Sequence, residues 1–183
     1  MIKNKRCFWC NEKNPLYVKY HDEEWGKTRF DDGYLFEMLM LESFQAGLSW
    51  ECVLNKRENF RESFDGFDIY KIADYNEAKI ESLRSDSGII RNKLKIKAAV
   101  NNARVFKDIV NEFGSFKNYL RSFWNGEVIY ENALTHSDLS DSISKDLISR
   151  GMKFVGTTII YSYLQAIGII NSHEKDCFLF KSV

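Results

Sequence analysis

Apolar residues recur at helical spacing through most of the chain beyond residue 30. Asp31 and Asp32 can cap a helix running to about Gln45, with Leu35, Met38, Leu39 and Glu42 near one face and Gly47 at its end. Ser49 can cap the next helix, whose apolar positions are Trp50, Val53, Leu54 and Phe60. Asn76 opens a short helix carrying Ile80 and Leu83 and closing near Gly88. A longer one is predicted from about Arg91 to Phe113, closed by Gly114, and Ser115 starts another that Asn125-Gly126 stops. Residues 127–139 read as irregular. Asp141 begins a helix ending at Arg150-Gly151, and a buried helix starts after Gly156. No period-two alternation is long enough to demand a sheet. The pattern predicts an all-α fold in which the two chain ends form a lobe of their own.

Composition narrows the class. The length of 183 residues fits one domain over 1–183, and 44% hydrophobic with 28% charged residues is the balance of a water-soluble globular chain. One proline and ten glycines leave little room for a disordered linker or a Gly-rich phosphate loop. Met1 to Cys10 has no apolar core of the kind a signal peptide carries. Phe154 to Ile170 is apolar, but Thr157, Thr158, Ser162 and Gln165 interrupt it, and it is short for a membrane span. No membrane partner is expected. Four cysteines without a secretion signal point to a reducing, cytoplasmic setting and to metal or core roles.

Charge changes the picture once its distribution is seen. Twenty-six basic residues balance 26 acidic ones, which by itself argues against a polyanion partner. The total conceals segregation. Gly88 to Val110 holds Arg91, Lys93, Lys95, Lys97, Arg104 and Lys107 against Asp108 alone, whereas His21 to Glu37 has six acidic residues and two basic ones. A basic helix face can follow a phosphate backbone. Such a run is more often simply solvated.

Three groups of residues can carry chemistry. Cys7, His21, His173 and Cys177 form a two-Cys, two-His set, with His173 and Cys177 one helical turn apart. Cys7 and Cys10 have C-x-x-C spacing, so Cys10 can compete as a ligand. Scattered core cysteines and surface histidines would look the same, because the two halves lie at opposite ends of the chain. Trp9, Tyr17, Tyr20 and Trp25 crowd polar-tipped rings into a short stretch, and Glu42 is a carboxylate on an apolar helix face. Rings around one carboxylate suit a flat cationic ligand. The alternative is that the rings are core and Glu42 caps a neighbouring backbone. The turn Arg150-Gly-Met-Lys-Phe-Val-Gly-Thr-Thr158 ends one helix and opens another, and free N–H groups there can hold a phosphate. An ordinary helix–turn–helix corner has the same pattern.

Taken together these segments resemble the 3-methyladenine DNA glycosylase I family of the helix-hairpin-helix glycosylase superfamily. The matching text is Pro15-Leu-Tyr-x-x-Tyr20-His-Asp-x-Glu-Trp-Gly26, Leu35-Phe-Glu-Met38, Gln45-Ala-Gly-Leu-Ser-Trp50, Lys56-Arg-Glu-Asn59, Gly88-Ile-Ile-Arg91 and Lys153-Phe-Val-Gly-Thr-Thr158. The resemblance implies a helix-hairpin-helix glycosylase fold whose termini, 1–30 and 170–183, join at structural zinc held by Cys7, His21, His173 and Cys177. It implies hydrolytic excision of 3-methyladenine from double-stranded DNA, in base excision repair. Nothing in the sequence suggests more than a monomer. Glu42 and Tyr17 take the catalytic positions. Trp50, Tyr20, Trp9 and Trp25 bind the base. Gly47 and Leu48 match the segment that enters the duplex, and Lys153, Gly156, Thr157 and Thr158 match the phosphate-gripping turn.

Two departures matter. Cys10 is one. The other concerns the aspartate that many superfamily members use to support the sugar cation, which this family lacks; Asp176 lies in roughly that part of the chain and reads as a coincidence. Lyase-competent relatives place a lysine just after the hairpin glycine. Here Thr157 and Thr158 follow Gly156, so a monofunctional enzyme leaving an abasic site is expected. A damage-binding protein without activity and a zinc-stapled interaction module are the competing classes. Release of free base excludes the first, and salt-sensitive DNA binding excludes the second.

Overall fold

The structure, a computed structural model, describes residues 5–181. The predicted span of 1–183 therefore includes six terminal residues, 1–4 and 182–183, that lie outside the described residues. Among the described residues the chain is helical, with one two-residue strand pair.

The core is built around α2 (Asp32–Gln45), which is apolar nearly all round and buries Leu35, Phe36, Met38, Leu39, Met40, Leu41 and Phe44. Asp31 starts it by accepting from the Tyr34 N–H at 3.0 Å. The amphipathic α7 (Lys93–Phe113) lays Ile96, Val100, Ala103, Phe106 and Ile109 inward, and Phe106 meets Phe36 edge to face at 5.2 Å. Asn92 caps α7, and Gly114 ends it in the left-handed region. Three shorter helices, α5 (Ile69–Ala73), α6 (Glu77–Ser85) and α8 (Phe116–Arg121), pack along α7. Then α9 (Asp138–Ser149) and α10 (Thr157–Ala166) pack against each other across a short turn, with α10 lying against α2.

Several sequence expectations are corrected. A helix, α1 (Pro15–Glu23), occupies the ring-rich stretch for which the pattern predicts no element; Asn14 caps it and Pro15 sits in its first turn. The helix expected through Phe60 breaks at Asn55-Lys56 into α3 (Trp50–Leu54) and α4 (Arg57–Ser63). There the Lys56 backbone leaves the helical region, and the Asn55 side chain accepts from Asn14 Nδ2 at 2.9 Å. The capping pattern places the start of α9 at Ser137, before Asp141, because Ser140 Oγ accepts from the Ser137 N–H. Helix α5 was missed; Asp68 caps it.

The irregular stretch holds β1 (Ile129–Tyr130), which pairs in parallel with β2 (Ile170–Asn171). That pair pins the loop beyond it to the C-terminal segment. Gly168 makes the same region possible. Its φ is +75°, and a Cβ there would collide with the Lys27–Thr28 peptide. The chain ends are thereby drawn onto the N-terminal segment, and the Phe178 N–H donates to the Lys5 carbonyl at 2.9 Å.

The basic run does not form a free face. Lys93 and Lys97 pair with Glu81 and Glu77 of α6, and Arg104 donates to the Ala73 carbonyl. The acidic run is likewise matched locally. Glu24 and Glu37 bind the buried Arg57, Asp22 binds Arg6, and Asp31 binds Arg29. The segregation read along the sequence is largely neutralised in space.

Candidate active site

Helix α1 turns its rings toward the end of α2, and together with α3 and α10 they enclose a cavity of about 490 Å³. All six residues nominated for the base pocket line it: Trp9, Tyr17, Tyr20, Trp25, Glu42 and Trp50. Trp9 stands 5.6 Å from Tyr17 and 4.8 Å from Trp25, and Tyr20 leans on Trp50 at 5.2 Å. Glu42 does not cap a backbone. It is 3% exposed, and its Oε2 has no hydrogen-bond partner among the described residues. Trp50 Nε1 is also buried and unpartnered. An orphaned acceptor and an orphaned donor in one aromatic cavity are costly unless a ligand satisfies them. Burial alone pushes the Glu42 carboxyl up to about 8. Tyr17 is pushed up to about 12, mainly by burial, so its hydroxyl is a donor at neutral pH.

Other groups complete the wall. Gln45, Ser162, Gln165 and Ser172 supply polar atoms, and Gln165 Nε2 donates to Ser172 Oγ at 2.8 Å. The signal for two of them was present. Ser162 and Gln165 are polar interruptions of the apolar stretch 154–170, on the face of α10 that meets the cavity.

Gly47 and Leu48 form the loop between α2 and α3, beside the cavity. Gly47 has φ +77° and Leu48 is 42% exposed. Lys95 fixes this loop. Its buried ammonium donates to the carbonyls of Phe44 (2.8 Å) and Ala46 (2.6 Å) at the C-terminus of α2, which is where a helix favours a cation. Burial lowers its pKa.

The turn over residues 150–156 joins α9 to α10. Lys153, Gly156, Thr157 and Thr158 lie on it or at the start of α10, whose first N–H groups take no side-chain cap. Two residues the sequence did not single out hold the turn. The fully buried Asn102 accepts from the Lys153 N–H and donates to the Lys153 carbonyl, both at 2.8 Å, and Asn101 donates to the Gly151 carbonyl. Thr157 is engaged from within, since its hydroxyl meets Asp141 and Ser140.

Cys7, His21, His173 and Cys177 come together, all buried, with their donor atoms within 4.8 Å of one another. Sγ of Cys7 is 3.5 Å from Nδ1 of His173, and Sγ of Cys177 is 3.5 Å from Nε2 of His21 and 3.6 Å from Nδ1 of His173. A tetrahedral centre with bonds of about 2.3 Å to sulfur and about 2.0 Å to nitrogen spaces its S and N donors about 3.5 Å apart. The four residues therefore fit a tetrahedral metal ion. Nδ1 of His21 meets Asp22 at 2.7 Å, and Asp22 takes a two-pronged bond from Arg6, which turns Nε2 toward the cluster. Cys10 is not part of the group; its thiol faces the Tyr17 carbonyl. Asp176 is outside the cavity wall, exposed and paired with Lys5.

Comparison with known proteins gives one answer. The model of the methyladenine glycosylase family matches residues 9–180. DNA-3-methyladenine glycosylase 1 of Escherichia coli is 45% identical over 179 residues, covering 94% of this chain and 95% of that protein. The DNA-3-methyladenine glycosylase of Haemophilus influenzae is 39% identical, covering 94% and 96%. A crystal structure of 3-methyladenine DNA glycosylase I superposes with a TM-score of 0.92 at 43% identity, covering 97% of this chain and all of that one. The Staphylococcus aureus enzyme, described for its recognition of 3-methyladenine, gives 0.90 at 35% identity over 94% and 95%. With its aromatic cavity, orphaned carboxylate and buried Cys/His cluster in place, this chain belongs to the methyladenine glycosylase family.

Proposed function

We propose that this protein is a monofunctional DNA glycosylase that hydrolyses the N-glycosidic bond of 3-methyladenine in double-stranded DNA and leaves an abasic site. The observation that carries the reading is Glu42, a buried carboxylate with no partner for Oε2 among the described residues, enclosed by rings. The lesion base carries a positive charge, so its glycosidic bond is already weak and no strong acid is required. The enzyme extrudes the nucleotide, at a cost of a few kcal/mol. The cationic base then stacks on Trp50, while Glu42 accepts and Tyr17 donates hydrogen bonds along its edge. Neutral adenine gains less from the carboxylate and the rings, so selectivity is a difference in binding energy. Water attacks C1′ of the oxocarbenium-like sugar. Leu48 enters the duplex at the point the nucleotide leaves. The turn at 150–156 and the open first turn of α10 hold backbone phosphate as a helix-hairpin-helix element.

The Cys/His cluster would hold zinc through Cys7, His21, His173 and Cys177. With all four positions filled by side chains, the ion supplies structure and no chemistry at the base. The chain forms one domain, works as a monomer, and acts in the cytoplasm, where bacterial DNA lies. The test is to incubate the protein with methylated DNA and resolve the released bases. Release of 3-methyladenine with 7-methylguanine retained is expected. Failure to release 3-methyladenine overturns the reading.

A further inference from the structure

The cavity has a rim that the reading above does not use. Phe8 lines its mouth and is 88% exposed, the most open large apolar side chain among the described residues. Lys175 also lines it, is exposed, and is the only Lys or Arg among the described residues of the wall. One hydrogen bond ties their two segments together. The Phe8 N–H donates to Glu174 Oε2 at 2.9 Å, which places the backbone of residue 8 beside residue 174. Phe8 follows Cys7 and precedes the pocket ring Trp9, and Lys175 lies between His173 and Cys177. Both rim residues therefore stand on backbone held by the Cys/His cluster.

Their chemistry does not match the bottom of the pocket. A lysine beside a cationic base repels it, whereas a lysine at the mouth of a pocket that receives a nucleotide meets its phosphate. An aromatic ring left in water on a fixed backbone is an apolar surface awaiting a partner, and rings stack readily on unpaired nucleotides. Glu42 marks the floor, because it is buried; Phe8 and Lys175 mark the entrance, because they are exposed. A base on Glu42 leaves its sugar and phosphate at that entrance.

We infer that Phe8 and Lys175 form a clamp on the sugar-phosphate of the extruded nucleotide, with the Lys175 ammonium on the phosphate and the Phe8 ring against the deoxyribose. The clamp makes the pocket prefer a damaged nucleotide within DNA over the free base. This rests on the proposed glycosylase reading, and the two fail differently. If wild-type protein releases no 3-methyladenine, the reading falls; if it does, the rim variants decide the clamp.

The experiment compares wild type with Phe8→Ala, Lys175→Met and Lys175→Arg, all exposed positions. Two quantities are read: steady-state excision from methylated DNA across a salt series, and binding of free 3-methyladenine by tryptophan fluorescence. Phe8→Ala and Lys175→Met should raise KM for lesion DNA several-fold, with kcat changed less than KM. Lys175→Met should reduce the slope of log affinity against log salt by about 0.7–0.9, the value of one phosphate contact. Lys175→Arg should restore KM and slope. Free-base affinity should stay at the wild-type level in all three. An unchanged KM and salt slope overturns the clamp. So does a loss of free-base affinity equal to the loss on DNA, which would place these residues against the base. A borohydride-trapped adduct that disappears in Lys175→Met overturns it as well, by making Lys175 a nucleophile.

Discussion

The rings of Trp25 and His173 meet edge to face, 4.7 Å apart at 89°. One lines the cavity and the other belongs to the Cys/His cluster, and Trp9 meets His21 at 5.2 Å with the rings tilted by 56°. The Cys/His cluster therefore backs the pocket. Removing the metal by chelation under reducing conditions should lower the melting temperature and weaken free 3-methyladenine binding several-fold, with added zinc restoring both. Unchanged base affinity in metal-free protein would separate the two sites.

Asp22 orients His21 and is itself gripped by Arg6. Partners of this kind typically change metal affinity 10- to 100-fold when removed. Asp22→Asn should weaken zinc binding within roughly that range in a competition titration with a chromogenic chelator. Wild-type affinity would show that the imidazole is held in place by packing alone.

Glu42 links activity to pH. Burial holds its carboxyl near 8, so most of the free enzyme is protonated at pH 7. The ionised form is the one that attracts a cationic base, and kcat/KM reports the free enzyme. On lesion DNA kcat/KM should rise about tenfold per pH unit and level off above about pH 8. Glu42→Gln should lose both the limb and most of the activity. A flat wild-type profile between pH 6 and 8 would refute the role.

The same group affects stability, and the sign follows from its raised pKa. The folded chain holds this proton more tightly than the unfolded one, so stability falls as pH climbs from the ordinary value of 4.5 to about 8. Glu42→Gln carries no such proton. Its melting temperature should gain on wild type as pH rises through that window, in parallel thermal scans. A constant difference would show that the carboxyl titrates normally.

Lys95 joins α7 to the loop carrying Leu48. Lys95→Met strips a charged donor from two helix-end carbonyls and should cost about 1–3 kcal/mol in denaturant unfolding. Excision should fall more than free-base binding does if the loop meets DNA and not the base, as proposed. Equal losses in both would mean that the lysine supports the pocket itself.

Borohydride reduction during turnover should trap no covalent protein–DNA adduct, since Thr157 and Thr158 occupy the positions after the hairpin glycine. A trapped adduct would overturn the monofunctional assignment.

The sequence alone determined most of the helices and the ring and carboxylate residues of the pocket. Side-chain caps and period-3.6 apolar faces are local signals, so Asp31, Asn76 and Ser115 marked helix starts that the structure keeps. The motif residues Trp9, Tyr17, Tyr20, Trp25, Glu42 and Trp50 all reach one cavity. Helix α1 escapes the period because it is short and its apolar Leu16 and Val18 lie off the buried face of Tyr17, Tyr20 and His21. Only the tertiary structure decided the rest, and in each case the deciding contact lies far apart in sequence. It brought Cys7 and His21 against His173 and Cys177 and left Cys10 aside, through the close approach at Gly168 and the β1–β2 pair. It tied the basic run to α6 and to the end of α2, which no linear charge count can foresee. It also tied Phe8 to Glu174 and so brought the segments of Phe8 and Lys175 to one cavity wall. Spacing encodes what neighbouring turns of one helix can do; the partners of a buried charge or an exposed ring depend on where the chain returns.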